Sequence, residues 1–269
     1  MTVSAAPQDA PETDPDLGPL SRDGFLGGRL QLLQPVRGYR AATDPVLLAA
    51  FTPARPGEHV LDLGCGVGTA SLCLAARVTG LDLHGIELQP PYARLARRNA
   101  ADNRVALTVH DGDLARPPAA LKALVFNQVL TNPPFYAAGA ITAPADPGRD
   151  QAHREHLPLG DWIAAGLRRL RPGGHLTLIH RAERLAEILA ALDGPAGAIE
   201  ILPVIPRAGR PAGRILVRAR KARAAPLTLH SPLTVHRGSS HSRDASDYTE
   251  FVEKLLRGAA DLVPDSTSG

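Results

Sequence analysis

Leu61-Asp62-Leu63-Gly64-Cys65-Gly66-Val67-Gly68-Thr69 is an apolar run that breaks into glycines. His59 to Leu63 has the make-up of a buried strand, and Thr69 to Val78 that of a helix. Glycines between two such elements let the backbone turn tightly and approach a ligand closely. The next apolar run, Leu81 to Leu88, carries Glu87 near its end. A doubly wound sheet places a carboxylate there for a ribose diol. The spacing is Gly-x-Gly-x-Gly, not the Gly-x-Gly-x-x-Gly of pyrophosphate sites, and Asp62 stands just before it. A carboxylate repels a pyrophosphate and attracts an ammonium. The combination favours S-adenosylmethionine, with its zwitterionic and phosphate-free methionine end, over a nicotinamide dinucleotide. A tight turn with no ligand is the plainer alternative. Asp113, after the third strand, either accepts from the cofactor's adenine amino group or is a turn residue.

Outward from this loop, strands and helices alternate. Ala106 to His110, Leu124 to Thr131 and His175 to His180 read as strands, and Pro90 to Asn103, Asp161 to Arg171 and Glu183 to Leu192 as helices. Ile199 to Ile205 and Arg214 to Arg220 follow as two more strands around a Gly/Pro turn. The order predicts an α/β fold, a mostly parallel sheet with helices on both faces and a terminal antiparallel hairpin. Upstream, Gly24 to Arg40 reads as short strands or a hairpin. Thr43 or Asp44 caps a helix that runs to Phe51, with Pro45 at its first position. Residues 1–20, rich in Ala, Pro and Asp, are expected to be a disordered acidic tail. Residues 21–258 are expected to form a single domain and 259–269 a flexible tail. The polar connection Arg223 to Ala245 leads to a last helix, Tyr248 to Arg257, opened by a capping-box-like pair, Asp247 and Glu250.

The fourth strand ends on Asn132-Pro133-Pro134-Phe135. The Asn132 amide oxygen accepts a hydrogen bond from an N–H. The prolines fix φ and keep the residues before them extended, so the Pro133 carbonyl is not used up by a helix. Phe135 offers a ring face. Two acceptors and a ring suit a flat, amino-bearing group whose nitrogen is to become a nucleophile. A strand that merely stops at prolines is the bland alternative.

The bulk numbers fit a globular enzyme: 269 residues, 44% hydrophobic and 21% charged, with a formal net charge of +3. Cys65 and Cys73 lack metal or redox spacing and read as small core residues of a reducing compartment. With no basic-then-apolar leader and no apolar run of membrane-spanning length, the expected place is the cytoplasm. His153 and His156 have no third ligand at suitable spacing, so no metal is expected. Arg207, Arg210, Arg214, Arg218, Arg220 and Lys221 crowd one hairpin, and alternation puts Arg214, Arg218 and Arg220 on one side. RNA phosphates are the natural partner of such a strip. The alternative is a charge-protected edge strand.

GYRAATDPVLLAAF, VLDLGCGVG, GIELQPPYARLARRNA, DGDL, TNPPF, LRPGGHLTLIHRAERLAEIL, PRAGRPAGRILVRARK and DYTEFVEKLL together carry a family likeness. From about Leu26 to Arg257 the chain resembles class I S-adenosylmethionine methyltransferases with an NPP(Y/F) motif. Among them it looks most like the bacterial tRNA adenine-N6 methyltransferases of the small-domain type, which modify an anticodon-loop adenine of valine tRNA. The resemblance implies a Rossmann-like fold with a seven-stranded sheet, S-adenosylmethionine as cofactor and the tRNA anticodon loop as partner. It implies that Asp62, Gly64, Gly66, Glu87, Asp113 and Asn132 bind the cofactor, with Thr43 and Asp44 at its methionine end. It further implies that Asn132 and the Pro133 carbonyl hold the target amino group and that Phe135 stacks on the base. The chain departs from the family at Asn127, usually Asp, and at Phe135, more often Tyr. Guanine-N2 methylation of ribosomal RNA and glutamine-N5 methylation of protein use related motifs and are the alternative activities. An inactive fold that only binds RNA is the third.

Overall fold

In a computed structural model, residues 12–135, 157–238 and 247–262 are described. The strands are β1 (Thr13–Asp14), β2 (Gly18–Phe25), β3 (Leu30–Pro35), β4 (His59–Leu63), β5 (Asp82–Glu87), β6 (Leu107–Asp111), β7 (Phe126–Thr131), β8 (Leu170–Arg181), β9 (Ala196–Ile205), β10 (Arg214–Lys221), β11 (Thr228–Leu229) and β12 (Leu233–Thr234). The helices are α1 (Asp44–Phe51), α2 (Thr69–Ala75), α3 (Pro90–Asp102), α4 (Ala119–Lys122), α5 (Leu159–Arg169), α6 (Leu185–Leu192) and α7 (Glu250–Leu256).

The expected seven strands lie side by side in the order β9-β10-β8-β7-β4-β5-β6. Neighbours from β8 to β6 run parallel, and β10 is antiparallel to both β8 and β9. The short β11 and β12 add to the outer edge of β9, which makes the sheet nine-stranded. Strands flanked on both faces need apolar residues on both, and β4 supplies them. Val60 packs with α1, α2 and α7, whereas Leu61 and Leu63 pack with α5 and α6. Between β4 and β7 the strand order reverses, and the carboxyl ends of the strands at such a point are where open α/β sheets form their ligand crevice. The glycine loop leaves β4 at that point and Asn132-Pro133-Pro134-Phe135 leaves β7. Asn127, where the resembled family usually has Asp, accepts from the His59 N–H at 3.0 Å and so ties the starts of β7 and β4 together.

Three local expectations are corrected. The acidic segment is not a disordered tail up to Leu20: β1 pairs with β2, and β2 with β3. Glu12 meets Arg22 at 2.7 Å and also Arg98, and Asp14 and Asp16 meet Arg94 at 3.1 and 2.5 Å. Strand pairing, the packing of Leu17 and Leu20 against Leu33, Tyr92 and Leu95, and the arginines of α3 supply partners that the segment's composition alone does not show. The tail after residue 258 is docked as far as Leu262, whose N–H donates to the Ala50 carbonyl (3.1 Å), while Asp261 meets Arg77 (2.7 Å). The cap of α7 is Thr249, whose hydroxyl accepts from the Val252 N–H at 3.4 Å. Asp247 instead bonds Arg207 and His236.

Candidate active site

Gly64 has φ of +67°, and a Cβ there would sit 2.8 Å from Trp162 Cζ2. Conformation and space both demand glycine at this position. The Gly66 N–H donates to Glu87 Oε2 at 2.9 Å, and the Gln89 N–H to Oε1 at 3.0 Å. Asp62, only 3% exposed, accepts from the Ser71 hydroxyl at 2.8 Å. Burial pushes the Asp62 carboxyl up to about 7, with the Glu87 charge adding to the shift against the bonds from Ser71. Burial also raises Glu87. Among the described residues neither carboxylate has a Lys or Arg partner. Two adjacent buried carboxylates without a cation fit a ligand that brings a positive charge and hydroxyl donors. S-adenosylmethionine has both, in its ammonium and its ribose diol.

This electrostatic state has a measurable sign. The folded Asp62 carboxyl titrates near 7 against an ordinary 3.8. Between those values the unliganded fold holds a proton that the unfolded chain does not, so this group lowers stability as pH rises toward 7. A bound ammonium favours the ionised form. Cofactor affinity is therefore expected to rise with pH by at most about tenfold per unit below 7, and to level off above it. Calorimetry of S-adenosylhomocysteine at pH 6.5 in two buffers of different ionisation enthalpy should report proton release. Binding without proton release would remove Asp62 from the account.

Asp113 is half-buried and its Oδ1 accepts from the Ala115 N–H at 2.8 Å, so it is a turn residue in this structure. Its Oδ2 makes no hydrogen bond among the described residues, which keeps the adenine role open to it.

On the other side of the crevice, Thr131 joins the ends of the two central strands. Its hydroxyl donates to the Leu63 carbonyl (2.9 Å) and accepts from the Trp162 indole N–H (2.7 Å). Asn132 Nδ2 donates to the Tyr39 hydroxyl at 3.1 Å, and its Oδ1 is buried with no protein partner. Pro133 is buried and Phe135 half-buried. The Phe135 ring lies perpendicular to His180 with centroids 5.2 Å apart, and the Arg214 guanidinium lies 4.5 Å over it. Arg214 Nε donates to Asp44 Oδ2 at 3.0 Å. Thr43 caps α1 through its carbonyl, which accepts from the Val46 and Leu47 N–H groups, and not through its side chain.

Hydrogen bonds and ring contacts thus link Gly66 to Glu87, Asp44 through Arg214 to Phe135, and Asn132 to Tyr39, whose hydroxyl lies near Asp44 and Asp62. Thr43, Gly64 and Pro133 are their chain neighbours at the start of α1 and the ends of β4 and β7. Tyr39 and Trp162 were not anticipated. The signal for Tyr39 was an aromatic in the exposed loop before α1. The residue is 51% exposed, yet its hydroxyl is turned onto Asn132 and desolvated. Burial of that end, with Asp44 and Asp62 near it, pushes the phenol up to about 12.

The basic strip is corrected. β10 lies between β8 and β9, so it is not an edge strand either, and one of its faces is covered by α1. Arg218 is 5% exposed, donates to both Glu200 oxygens (2.6 and 3.0 Å) and to the Phe51 carbonyl (3.1 Å), and cannot meet a phosphate. Arg207 is tied to Asp247, Arg220 to the Gly173 carbonyl and Lys221 to the Leu170 carbonyl. Arg210 remains exposed, and only Arg214 reaches the crevice. His153 and His156 lie outside the described residues. Among those described, no group of three His, Cys, Asp or Glu side chains could hold a metal, and no helix is long and apolar enough to cross a membrane.

The chain is similar in sequence and fold to known proteins. Residues 42–194 match the family described as Methyltransferase small domain. The tRNA1(Val) (adenine(37)-N6)-methyltransferase of Porphyromonas gingivalis is 33% identical over 176 residues, 62% of this chain and 68% of its own. The enzyme so named from Aeromonas hydrophila subsp. hydrophila is 32% identical over 201 residues, 71% of this chain and 83% of its own. Among solved structures, a predicted O-methyltransferase of Agrobacterium tumefaciens has a TM-score of 0.65 at 29% identity, covering 82% of this chain and 99% of that one. The T. thermophilus 16S rRNA N2 G1207 methyltransferase, in complex with AdoMet and guanosine, has a TM-score of 0.52 at 21% identity over 75% of this chain and 50% of that one, a likeness of fold. With its glycine loop, paired carboxylates and NPPF turn in one crevice, the chain belongs to the methyltransferase small domain family and is a class I S-adenosylmethionine-dependent methyltransferase.

Proposed function

We propose that the protein methylates N6 of an adenine in the anticodon loop of a tRNA, which makes tRNA its partner and the cytoplasm its place of work. The observation that carries this reading is the Asn132 amide oxygen, buried and unpartnered at the end of β7 beside the cofactor loop. The printed names of the relatives support adenine 37 as the target.

S-adenosylmethionine, when bound, supplies an electrophilic methyl group on a sulfonium. Asp62, Glu87 and the backbone of Gly64 and Gly66 would hold it, with Thr43 and Asp44 at the methionine end and Asp113 at the adenine. The protein's own work is on the acceptor nitrogen. The lone pair of an exocyclic amine is spread into the base. Asn132 Oδ1 and the Pro133 carbonyl accept its two N–H groups and hold the nitrogen out of conjugation. No general base is needed before attack, because the positive charge that develops makes those protons more acidic. Both acceptors therefore bind the transition state better than the ground state. Phe135 holds the plane of the base, and an unpaired loop nucleotide needs little unstacking to reach it. Tyr39 takes up the Asn132 Nδ2–H, which leaves Oδ1 buried and without a protein partner.

The test is nucleoside mass analysis of RNA from cells with and without the protein, followed by methylation of purified tRNA in vitro. N6-methyladenosine in tRNA should disappear with the protein and return in vitro. Loss of N2-methylguanosine from ribosomal RNA, or of a ribose O-methyl mark, in its place would overturn the reading.

A further inference from the structure

Arg214 stands apart from the other basic residues of its hairpin. Its guanidinium is fixed from two directions: Nε donates to Asp44 Oδ2 at 3.0 Å, and Nη1 to the Gly213 carbonyl at 3.2 Å. So held, its Cζ lies 4.5 Å from the centre of the Phe135 ring. His180, fully buried on β8, stands perpendicular to the same ring at 5.2 Å. Burial lowers the imidazole below its ordinary value, so it packs as a neutral ring. Among the described residues no other ring or cation lies on Phe135. With the cation over one face and a neutral imidazole perpendicular to the ring, a planar base that stacks on Phe135 has to take the face away from Arg214.

We propose that Arg214 is a positioning residue: pinned by Asp44, it closes one face of Phe135 and sets the tilt of the ring, so that the target base stacks on the other face. The inference rests on the amino-methylation reading above. It gives Arg214 a different job from a phosphate contact, since it acts through the ring and not on the RNA backbone. Asp44 belongs to the cofactor side of the crevice and Phe135 to the base side, so one guanidinium sets both. The job needs a flat, forked cation that bonds a carboxylate in its plane while lying over a ring. A lysine ammonium keeps the charge but has no such plane.

The test is a double-mutant cycle in methylation of tRNA by the full chain. Arg214→Met and Arg214→Lys should each lower kcat/KM roughly tenfold, the scale of a lost stacking or cation–π contact. In a Phe135→Ala background, Arg214→Met should cost less than about twofold more, because the ring it acts through is gone. Arg214→Lys keeps an ion pair for Asp44 and serves as the variant least open to misfolding, with thermal melting as the check. Full activity in Arg214→Lys would overturn the proposal, as charge alone would then suffice. So would additive losses together with a flatter salt dependence, the mark of a phosphate contact. Asn132→Ala, measured alongside, keeps the two readings separate. Near wild-type activity there removes amino methylation itself, whereas a dead Asn132→Ala with an additive cycle removes only the role of Arg214.

Discussion

Asn132→Ala is expected to lower the single-turnover rate of methyl transfer by roughly 100–1000-fold, by analogy with the loss of one preorganised oxyanion-hole donor. The size follows from where the group acts. Its oxygen is already stripped of solvent and has no protein partner, so it needs no reorganisation when the substrate nitrogen changes shape. Its contribution grows as charge builds on that nitrogen, so the loss should fall on the rate more than on tRNA binding. Cofactor affinity should change much less, because on the reading proposed above Asp62 and Glu87 hold the cofactor from β4 and β5. Rapid-quench methylation with cofactor pre-bound measures the step directly. Should the variant keep near wild-type speed on its true substrate, the NPPF segment is only a strand end.

Arg218→Ala is expected to destabilise the fold by about 3–5 kcal/mol, the cost of breaking a buried ion pair by removing one partner. For a domain of this size that lowers the melting temperature by on the order of 10 °C. Arg218 satisfies Glu200 and the Phe51 carbonyl, and its guanidinium lies 4.7 Å over the Phe51 ring. Burial works against ionisation of Glu200, but the bonds and charge of Arg218, with His230, outweigh it and hold the carboxyl below its ordinary value. A depressed carboxylate stabilises the fold above its ordinary range, and that stability is lost as pH falls through the lowered value. The pair should therefore weaken in acid. Thermal melts across pH, with RNA binding measured on the folded fraction, give the check. A variant as stable as the wild type but impaired in RNA binding would restore the phosphate role.

Much of the crevice was legible because local chemistry determines it. A glycine run after a buried strand, a carboxylate at the end of the next strand and prolines after a third each constrain their own backbone. Arg218 was misplaced for a reason that alternation does not reach. Strand periodicity says that Arg214, Arg218 and Arg220 share a side, but not that α1 covers that side at Arg218, nor that Glu200 waits on the neighbouring strand. The acidic segment from Glu12 to Asp16 was misjudged in the same way, since its partners Arg94 and Arg98 belong to another element. Nothing in the sequence around Tyr39 signals its task, because the bond that employs it comes from Asn132, far along the chain. Short-range rules placed the backbone of the site, and long-range pairing decided which charged side chains face it.

The bond between Arg214 and Asp44 spans 170 residues. α1, which carries Asp44, packs under α7 and receives the Leu262 N–H at its last turn. During synthesis the glycine loop, Glu87 and the NPPF turn leave the ribosome long before the residues that seat Phe135 and cover α1. A nascent chain can thus build the cofactor loop while its base-holding ring is still unfixed. Contacts of such separation form late, because a long loop must close before they are rewarded. Premature termination between the NPPF turn and Arg214 therefore yields a product that has the residues of the cofactor loop but lacks the finished grip on the base, and full methyl-transfer activity waits for the strand that carries Arg214.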